Sequence, residues 1–87
     1  MSDSVQSVTM YSTTWCGYCR RLKSQFDREN IAYTVVDIEQ RPDAAEYVMS
    51  VNGGNQTVPT IQFADGSALT NPTIVAVREK IGALAAG

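Results

Sequence analysis

Hydrophobic positions in the first half of the chain change their spacing twice. Residues 8–11 are rich in strand-forming side chains and predict a strand, which a polar run connects to Cys16. From Cys16 to near Asn30 the spacing is that of an amphipathic helix. Its apolar face carries Cys19, Leu22 and Phe26. The β-branched run at residues 31–38 then predicts a second strand, short enough to be an inner one, and completes a βαβ unit.

The middle of the chain predicts a second helix followed by a reversal. Pro42 suits a first helical turn, and apolar residues continue at helical spacing as far as Val51. The segment Asn52-Gly53-Gly54 then predicts a helix end and a turn. A hairpin turn over residues 52–55 is an alternative interpretation of the same segment.

A hairpin follows this reversal. Residues 57–63 have the composition of a strand, Asp65-Gly66 is a turn signal, and residues 67–69 predict the return strand. Pro59 interrupts the first strand, where proline has no N–H to donate. Two interpretations stay open: an edge-strand proline, or a cis peptide after Val58 that exposes backbone groups to a substrate.

A closing helix completes the predicted order βαβαββα. Asn71 resembles an N-cap with Pro72 at the first helical position. The apolar residues of this helix are Ile74, Val75, Val77, Ile81 and Leu84. With 87 residues the chain has room for one modest core, so we expect a single α/β domain over residues 1–87.

Composition and charge exclude several classes of function. The chain is 44% hydrophobic and 18% charged with a net charge of −2, and no basic stripe is available for nucleic acid. We expect no membrane association and a cytoplasmic location, because neither a signal sequence nor a long apolar run is visible. The absence of histidine removes Cys–His and Ser–His catalysis and His-ligated metal sites, and we expect no bound metal or cofactor.

The chemistry is concentrated in Cys16-Gly17-Tyr18-Cys19. Two cysteines at this spacing at a helix start can form a reversible disulfide, and so few cysteines suit a reducing compartment. Free N–H groups of the first turn stabilise a thiolate at Cys16, which we expect to be the exposed nucleophile with a lowered pKa. Cys19 lies on the apolar helix face and is expected to be the more buried, resolving thiol.

Other interpretations of this region remain open on the sequence alone. The pair is also compatible with half of a zinc site shared by two chains, with two buried structural cysteines, or with a structural disulfide. Three basic residues follow the pair and either add a positive field or form a solvated helix face. They are Arg20, Arg21 and Lys23.

The segment Trp15-Cys16-Gly17-Tyr18-Cys19, followed further along the chain by Thr57-Val58-Pro59, resembles the glutaredoxins. Within that family the likeness is to the mycoredoxins of actinobacteria. It is carried by the runs TTWCGYCRRLK, IAYTVVDIE, VNGGNQTVPTIQFADGS and LTNP. The resemblance implies a thioredoxin fold, in which three helices flank a central mixed sheet of four strands. It also implies a cis Pro59, attack by Cys16, resolution by Cys19, and substrate contacts from Trp15, Tyr18, Thr57, Val58 and Pro59.

Two departures from ordinary glutaredoxins bear on the substrate. Thr13 stands where a lysine is common, and the segment Leu69-Thr70-Asn71-Pro72 lacks the usual acidic residue. Glutathione carries two carboxylates and an ammonium group, whereas mycothiol presents sugar and inositol hydroxyls that neutral side chains can bind. Candidate contacts are Thr13, Thr57, Thr70 and Asn71. Capping and turn formation are the alternative roles for these residues.

The expected activity is reduction of mixed disulfides between protein cysteines and mycothiol by a monomeric enzyme. Mycothiol is the expected reducing co-substrate, with mycothiol disulfide reductase and NADPH upstream and mycothiolated proteins as partners. One alternative is a redoxin that takes electrons from thioredoxin reductase and supplies ribonucleotide reductase. The other is an iron–sulfur carrier in which two chains each contribute Cys16.

Overall fold

The helices and strands follow the predicted βαβαββα order. The structure is a computed structural model that describes residues 8–86. Its elements are β1 (Val8–Ser12), α1 (Gly17–Arg28), β2 (Thr34–Asp37), α2 (Pro42–Val51), β3 (Thr60–Phe63), β4 (Ala68–Thr70) and α3 (Ile74–Ala86). Within the described residues, none of the helices is long and apolar enough to span a bilayer.

The four strands form one mixed sheet in the order β2-β1-β3-β4. β1 pairs with β2 in parallel and with β3 in antiparallel register, and β4 returns antiparallel to β3. The parallel pair is joined by α1, as parallel pairing requires a crossover connection. The expected mixed four-stranded sheet with three helices is confirmed, and β2 and β4 form its opposite edges.

The sheet separates two apolar clusters. On one face α1 and α3 pack on the inner strands, where side chains such as Phe26, Val77 and Met10 are fully buried. Across the sheet α2 packs through Ala44 and Val48 in a smaller cluster. Burying an aliphatic or aromatic side chain of this size contributes about 1.5–3 kcal/mol to stability. Val75, one of the apolar residues on which the prediction of α3 is based, is 56% exposed.

The predicted strand at residues 31–38 is wrong in length and in position. Helix α1 ends in a Schellman motif, with Ile31 N–H donating to Phe26 O at 2.9 Å and Asn30 in the left-handed region at φ 59°. Ile31 therefore belongs to the helix end, and β2 covers only Thr34–Asp37. β2 is an edge strand rather than an inner one, and its first two residues are exposed.

The end of α2 settles the alternatives for the segment after Val51. Gly53 and Gly54 have positive φ values of 65° and 98°, and Gly54 N–H donates to Met49 O at 2.8 Å. This is a second Schellman ending, so the segment caps a helix, and the alternative hairpin turn is wrong.

The last part of the chain differs from expectation in the bounds of three elements, β3, β4 and α3. β3 begins at Thr60 rather than at residue 57, and β4 begins and ends one residue later than predicted. Asn71 is not the N-cap of α3: it has φ 47° and its N–H donates to Pro59 O at 2.7 Å. Thr73 caps the helix instead, because its Oγ1 accepts from the N–H of Ala76 at 3.1 Å.

Candidate active site

The two cysteines lie at the start of α1. Cys16 is the N-cap residue, and its Sγ accepts a hydrogen bond from the backbone N–H of Cys19 at 3.1 Å. The two sulfurs are joined by a disulfide, with 5.2 Å between the Cα atoms. A thiolate at the N-cap position accepts the same N–H and lies at the positive end of the helix dipole. The geometry therefore suits both a disulfide and a stabilised Cys16 thiolate.

Cys19 is more buried than Cys16, as predicted, but Cys16 is more buried than predicted. Cys19 is 0% exposed and Cys16 is 4% exposed, so the expectation of an exposed Cys16 is wrong. As N-cap, Cys16 folds its side chain back over the first turn of the helix. The neighbouring Trp15 and Tyr18 are 67% and 65% exposed. A partner therefore meets two aromatic side chains beside a recessed sulfur.

A loop 42 residues further along the chain closes the other side of Cys16. The Val58–Pro59 peptide is cis, as predicted, and β3 begins only after it, so the alternative of an edge-strand proline is wrong. The Cys16 Sγ lies 4.0 Å from the carbonyl oxygen of Val58. The structure thus brings together the two segments on which the family resemblance depends.

A network of polar side chains supports this loop. Thr60 Oγ1 donates to Thr57 O at 2.8 Å and accepts from Asn52 Nδ2 at 3.1 Å. The same Asn52 amide accepts from Thr70 Oγ1 at 2.5 Å and donates to Val48 O at 2.8 Å. The Thr70 hydroxyl and the Thr57 carbonyl are therefore engaged within the protein. Sequence reasoning missed Asn52, whose position at a helix end signals capping and nothing more.

Thr13 also differs from the other candidate contacts. It is 5% exposed, and its hydroxyl oxygen is enclosed with no hydrogen-bond partner among the described residues. Its carbonyl oxygen accepts from the N–H of Cys16 at 3.4 Å. Thr13 is thus part of the turn into α1, and its hydroxyl does not face solvent.

A cleft of about 320 Å³ opens on the Tyr18 side of the pair. One wall comes from α1 and the other from the segment that leads into α3. The lining residues are Tyr18, Arg21, Leu22, Gln25, Asn71, Pro72, Thr73 and Ile74. Arg21 is the one charged side chain among these lining residues, and the polar groups are hydroxyls and amides. Of the four neutral candidates for sugar contacts, only Asn71 lines this cleft.

On the other side, Trp15 is tied to an acidic residue that sequence reasoning missed. The indole Nε1 donates to Glu39 Oε2 at 3.0 Å. Glu39 follows β2, 24 residues after Trp15, and no spacing rule connects two such positions.

The basic residues after the pair do not share one role. Arg20 Nη1 donates to the carbonyl oxygen of Thr14, in the loop before Cys16, at 3.5 Å. Arg21 lines the cleft, while Lys23 is half-buried on α1. Arg20 therefore contacts the active-site loop, and Arg21 is the cation that lines the cleft.

Comparison with known proteins agrees with this geometry. The family model named Glutaredoxin matches residues 8–68. The chain belongs to the glutaredoxin family. A Mycobacterium tuberculosis relative described as a glutaredoxin is 57% identical over 75 residues, which cover 86% of this chain and 89% of the relative. Mycoredoxin 1 of Corynebacterium glutamicum is 44% identical over 81 residues, which cover 93% of this chain and 100% of that protein.

A solved glutaredoxin has the same fold. The crystal structure of the Archaeoglobus fulgidus glutaredoxin superimposes with a TM-score of 0.70 and 26% sequence identity, covering 85% of this chain and 84% of that one. The thioredoxin and glutaredoxin fold and the resemblance to mycoredoxins are confirmed. With its cysteine pair at the start of α1, this glutaredoxin is a thiol-disulfide oxidoreductase.

Proposed function

We propose that this glutaredoxin removes mycothiol from mixed disulfides with protein cysteines. The observation that carries the proposal is the cleft beside Tyr18, whose lining side chains offer hydroxyls and amides and no carboxylate. Sugar and inositol hydroxyls both donate to and accept from such groups, whereas the ammonium group of glutathione needs an anion. The guanidinium N–H groups of Arg21 also donate to hydroxyl oxygens. The likeness to Mycoredoxin 1 supports the same substrate.

In the first step the Cys16 thiolate attacks the mycothiol sulfur of the mixed disulfide. The bond between the mycothiol sulfur and the target cysteine breaks, and the target leaves as a thiolate that takes a proton from water. Cys16 is then joined to mycothiol. The N–H of Cys19, which donates to the Cys16 sulfur, stabilises the thiolate that starts this step.

A second mycothiol completes the cycle. Its thiolate attacks the sulfur of the bound mycothiol, mycothiol disulfide is released, and Cys16 returns as a thiolate. The net reaction consumes one free mycothiol, which is oxidised to mycothiol disulfide together with the mycothiol removed from the target. We expect mycothiol disulfide reductase to reduce the released disulfide to two mycothiol molecules at the expense of NADPH, in the cytoplasm. One monomer suffices, since every step takes place at Cys16.

The protein half of the substrate is expected to align along the cis-proline loop. Val58 lies next to Cys16 and two residues before the start of β3, and we expect its backbone to pair with an extended peptide. Such pairing adds main-chain hydrogen bonds without demanding a particular sequence.

The test compares one target protein whose single cysteine carries either mycothiol or glutathione. Loss of the small thiol is followed by mass spectrometry, with the matching free thiol as reductant. We expect faster turnover on the mycothiol form, because the cleft lacks a partner for the glutathione ammonium group. Equal or faster turnover on the glutathione form contradicts the proposal, as does fast turnover driven by thioredoxin reductase and NADPH alone.

A further inference from the structure

The exposed indole of Trp15 is held in one orientation. An exposed side chain of this size is ordinarily free to change rotamer, but Trp15 donates from Nε1 to Glu39 Oε2 at 3.0 Å. Trp15 is 67% exposed and directly precedes Cys16. A large apolar surface is therefore presented to solvent beside the reactive sulfur.

The backbone of Glu39 is itself fixed by the turn that follows β2. Asp37 Oδ1 accepts from the N–H of Glu39 at 2.9 Å, and Asp37 O accepts from the N–H of Gln40 at 3.1 Å. The intervening Ile38 is buried, and its N–H donates to Ser12 O at 3.0 Å. Ser12 ends β1, the strand that leads to Cys16, so the Glu39 backbone and the active-site loop share one anchor.

The topology places the two exposed aromatic residues on different sides of Cys16. Trp15 is bonded to the turn after β2, and Tyr18 lines the cleft with the segment that follows β4. β2 and β4 are opposite edges of the sheet. We call the surface formed by Trp15 and Glu39 the tryptophan side. A mixed disulfide has two halves, and the cleft and the tryptophan side offer a separate surface to each.

We propose that Glu39 is a positioning residue that holds Trp15 for contact with the protein half of the mixed disulfide. The ligand is the polypeptide around the target cysteine, which offers backbone and apolar side-chain surface to a flat indole. Ordering a side chain before binding removes part of the entropy cost of association. The proposal depends on disulfide exchange at Cys16 and not on which small thiol occupies the cleft.

The experiment uses a protein mixed disulfide and a small mixed disulfide between the same small thiol and free cysteine. We expect Glu39→Ala to raise KM for the protein substrate about three- to tenfold, with kcat unchanged, because an unordered side chain costs that much affinity. Turnover of the small substrate is expected to stay as in the wild type. Glu39→Gln keeps an acceptor oxygen and is expected to restore a wild-type KM. Glu46→Ala removes another exposed carboxylate, on α2, as a matched control.

Two further measurements separate positioning from a general structural effect. Trp15 is the only tryptophan in the chain, so fluorescence anisotropy reports on it alone. We expect lower anisotropy in Glu39→Ala and recovery in Glu39→Gln. Trp15→Phe removes the N–H donor, and adding Glu39→Ala to it is expected to raise KM no further. An unchanged protein KM in Glu39→Ala, an equal loss on both substrates, or additive effects in the double variant would overturn the proposal.

Discussion

The two sides of Cys16 are built differently. On the tryptophan side, a projecting indole is held by an acidic residue from the turn after β2. On the other side a concave cleft carries hydroxyls, amides and one arginine. A flat aromatic side chain that projects into solvent can contact many different protein surfaces. A concave site instead selects a ligand through its polar groups. On the proposed function, tolerance for protein targets and selectivity for the small thiol would therefore reside on opposite sides of one sulfur.

The largest expected effect comes from removing the sulfur that both sides share. Cys16→Ser is expected to reduce turnover to the uncatalysed rate, because a hydroxyl does not take part in disulfide exchange. Cys19→Ser is expected to keep demycothiolation, since the proposed cycle forms and breaks bonds only at Cys16. Release of the target protein thiol, measured with a thiol reagent, checks both variants. Complete loss of turnover in Cys19→Ser would rule out the monothiol route.

The next largest effect is expected from a substitution that alters only the cleft. Asn71→Asp keeps the side-chain shape, tolerates the left-handed backbone at φ 47°, and adds a carboxylate to the cleft. A charge-assisted bond to an ammonium group is worth about 1.5–3 kcal/mol. Because Asn71 is exposed, the lower end of this range applies, and we expect the ratio of kcat/KM for mycothiol to that for glutathione to shift about tenfold towards glutathione.

A matched control for this substitution is available at the end of α1. Asn30 is also exposed and has φ 59°, but it lies in the Schellman motif and does not line the cleft. Asn30→Asp is expected to leave the ratio unchanged. A ratio that moves equally in both variants would show that added negative charge, and not its place in the cleft, alters the preference.

Local sequence patterns predicted the secondary structure and the cysteine pair better than they predicted the contacts around the pair. Period and capping located all seven elements, and the spacing of Cys16 and Cys19 gave the reactive pair. The predicted ends of the elements were less accurate. Ile31 belongs to a Schellman motif rather than to β2, and Asn71 donates its N–H to Pro59 O rather than capping α3. The hydrogen bond from Trp15 to Glu39 joins two loops. No sequence periodicity indicates such a contact, so it is visible only in the structure.

The site also contained polar residues whose roles depend on burial. Thr13, Thr57, Thr70 and Asn71 have similar chemistry in the sequence, and any of them is suited to a sugar hydroxyl. In the fold the Thr13 hydroxyl is enclosed and the Thr70 hydroxyl donates to Asn52, while Asn71 lines the cleft. Which neutral residue meets a ligand is decided by tertiary contacts, and these have no signature along the chain.

The smallest effect on turnover is expected far from both sides, in the turn between β3 and β4. Hydrogen bonds from the Ser67 hydroxyl and N–H, with Lys80 nearby, lower the pKa of Asp65 from 3.8 to about 2. Because the folded pKa is lowered, the stabilisation is present above pH 3.8 and is lost as the pH falls through about 2. Asp65→Asn is therefore expected to lower the urea midpoint at pH 7, with the difference from wild type disappearing towards pH 2. Turnover of the protein and small substrates is expected to match the wild type.

A difference in midpoint that persists at pH 2 would contradict the ionic origin of the stabilisation. A change in substrate preference would show that selectivity extends beyond the two sides of Cys16.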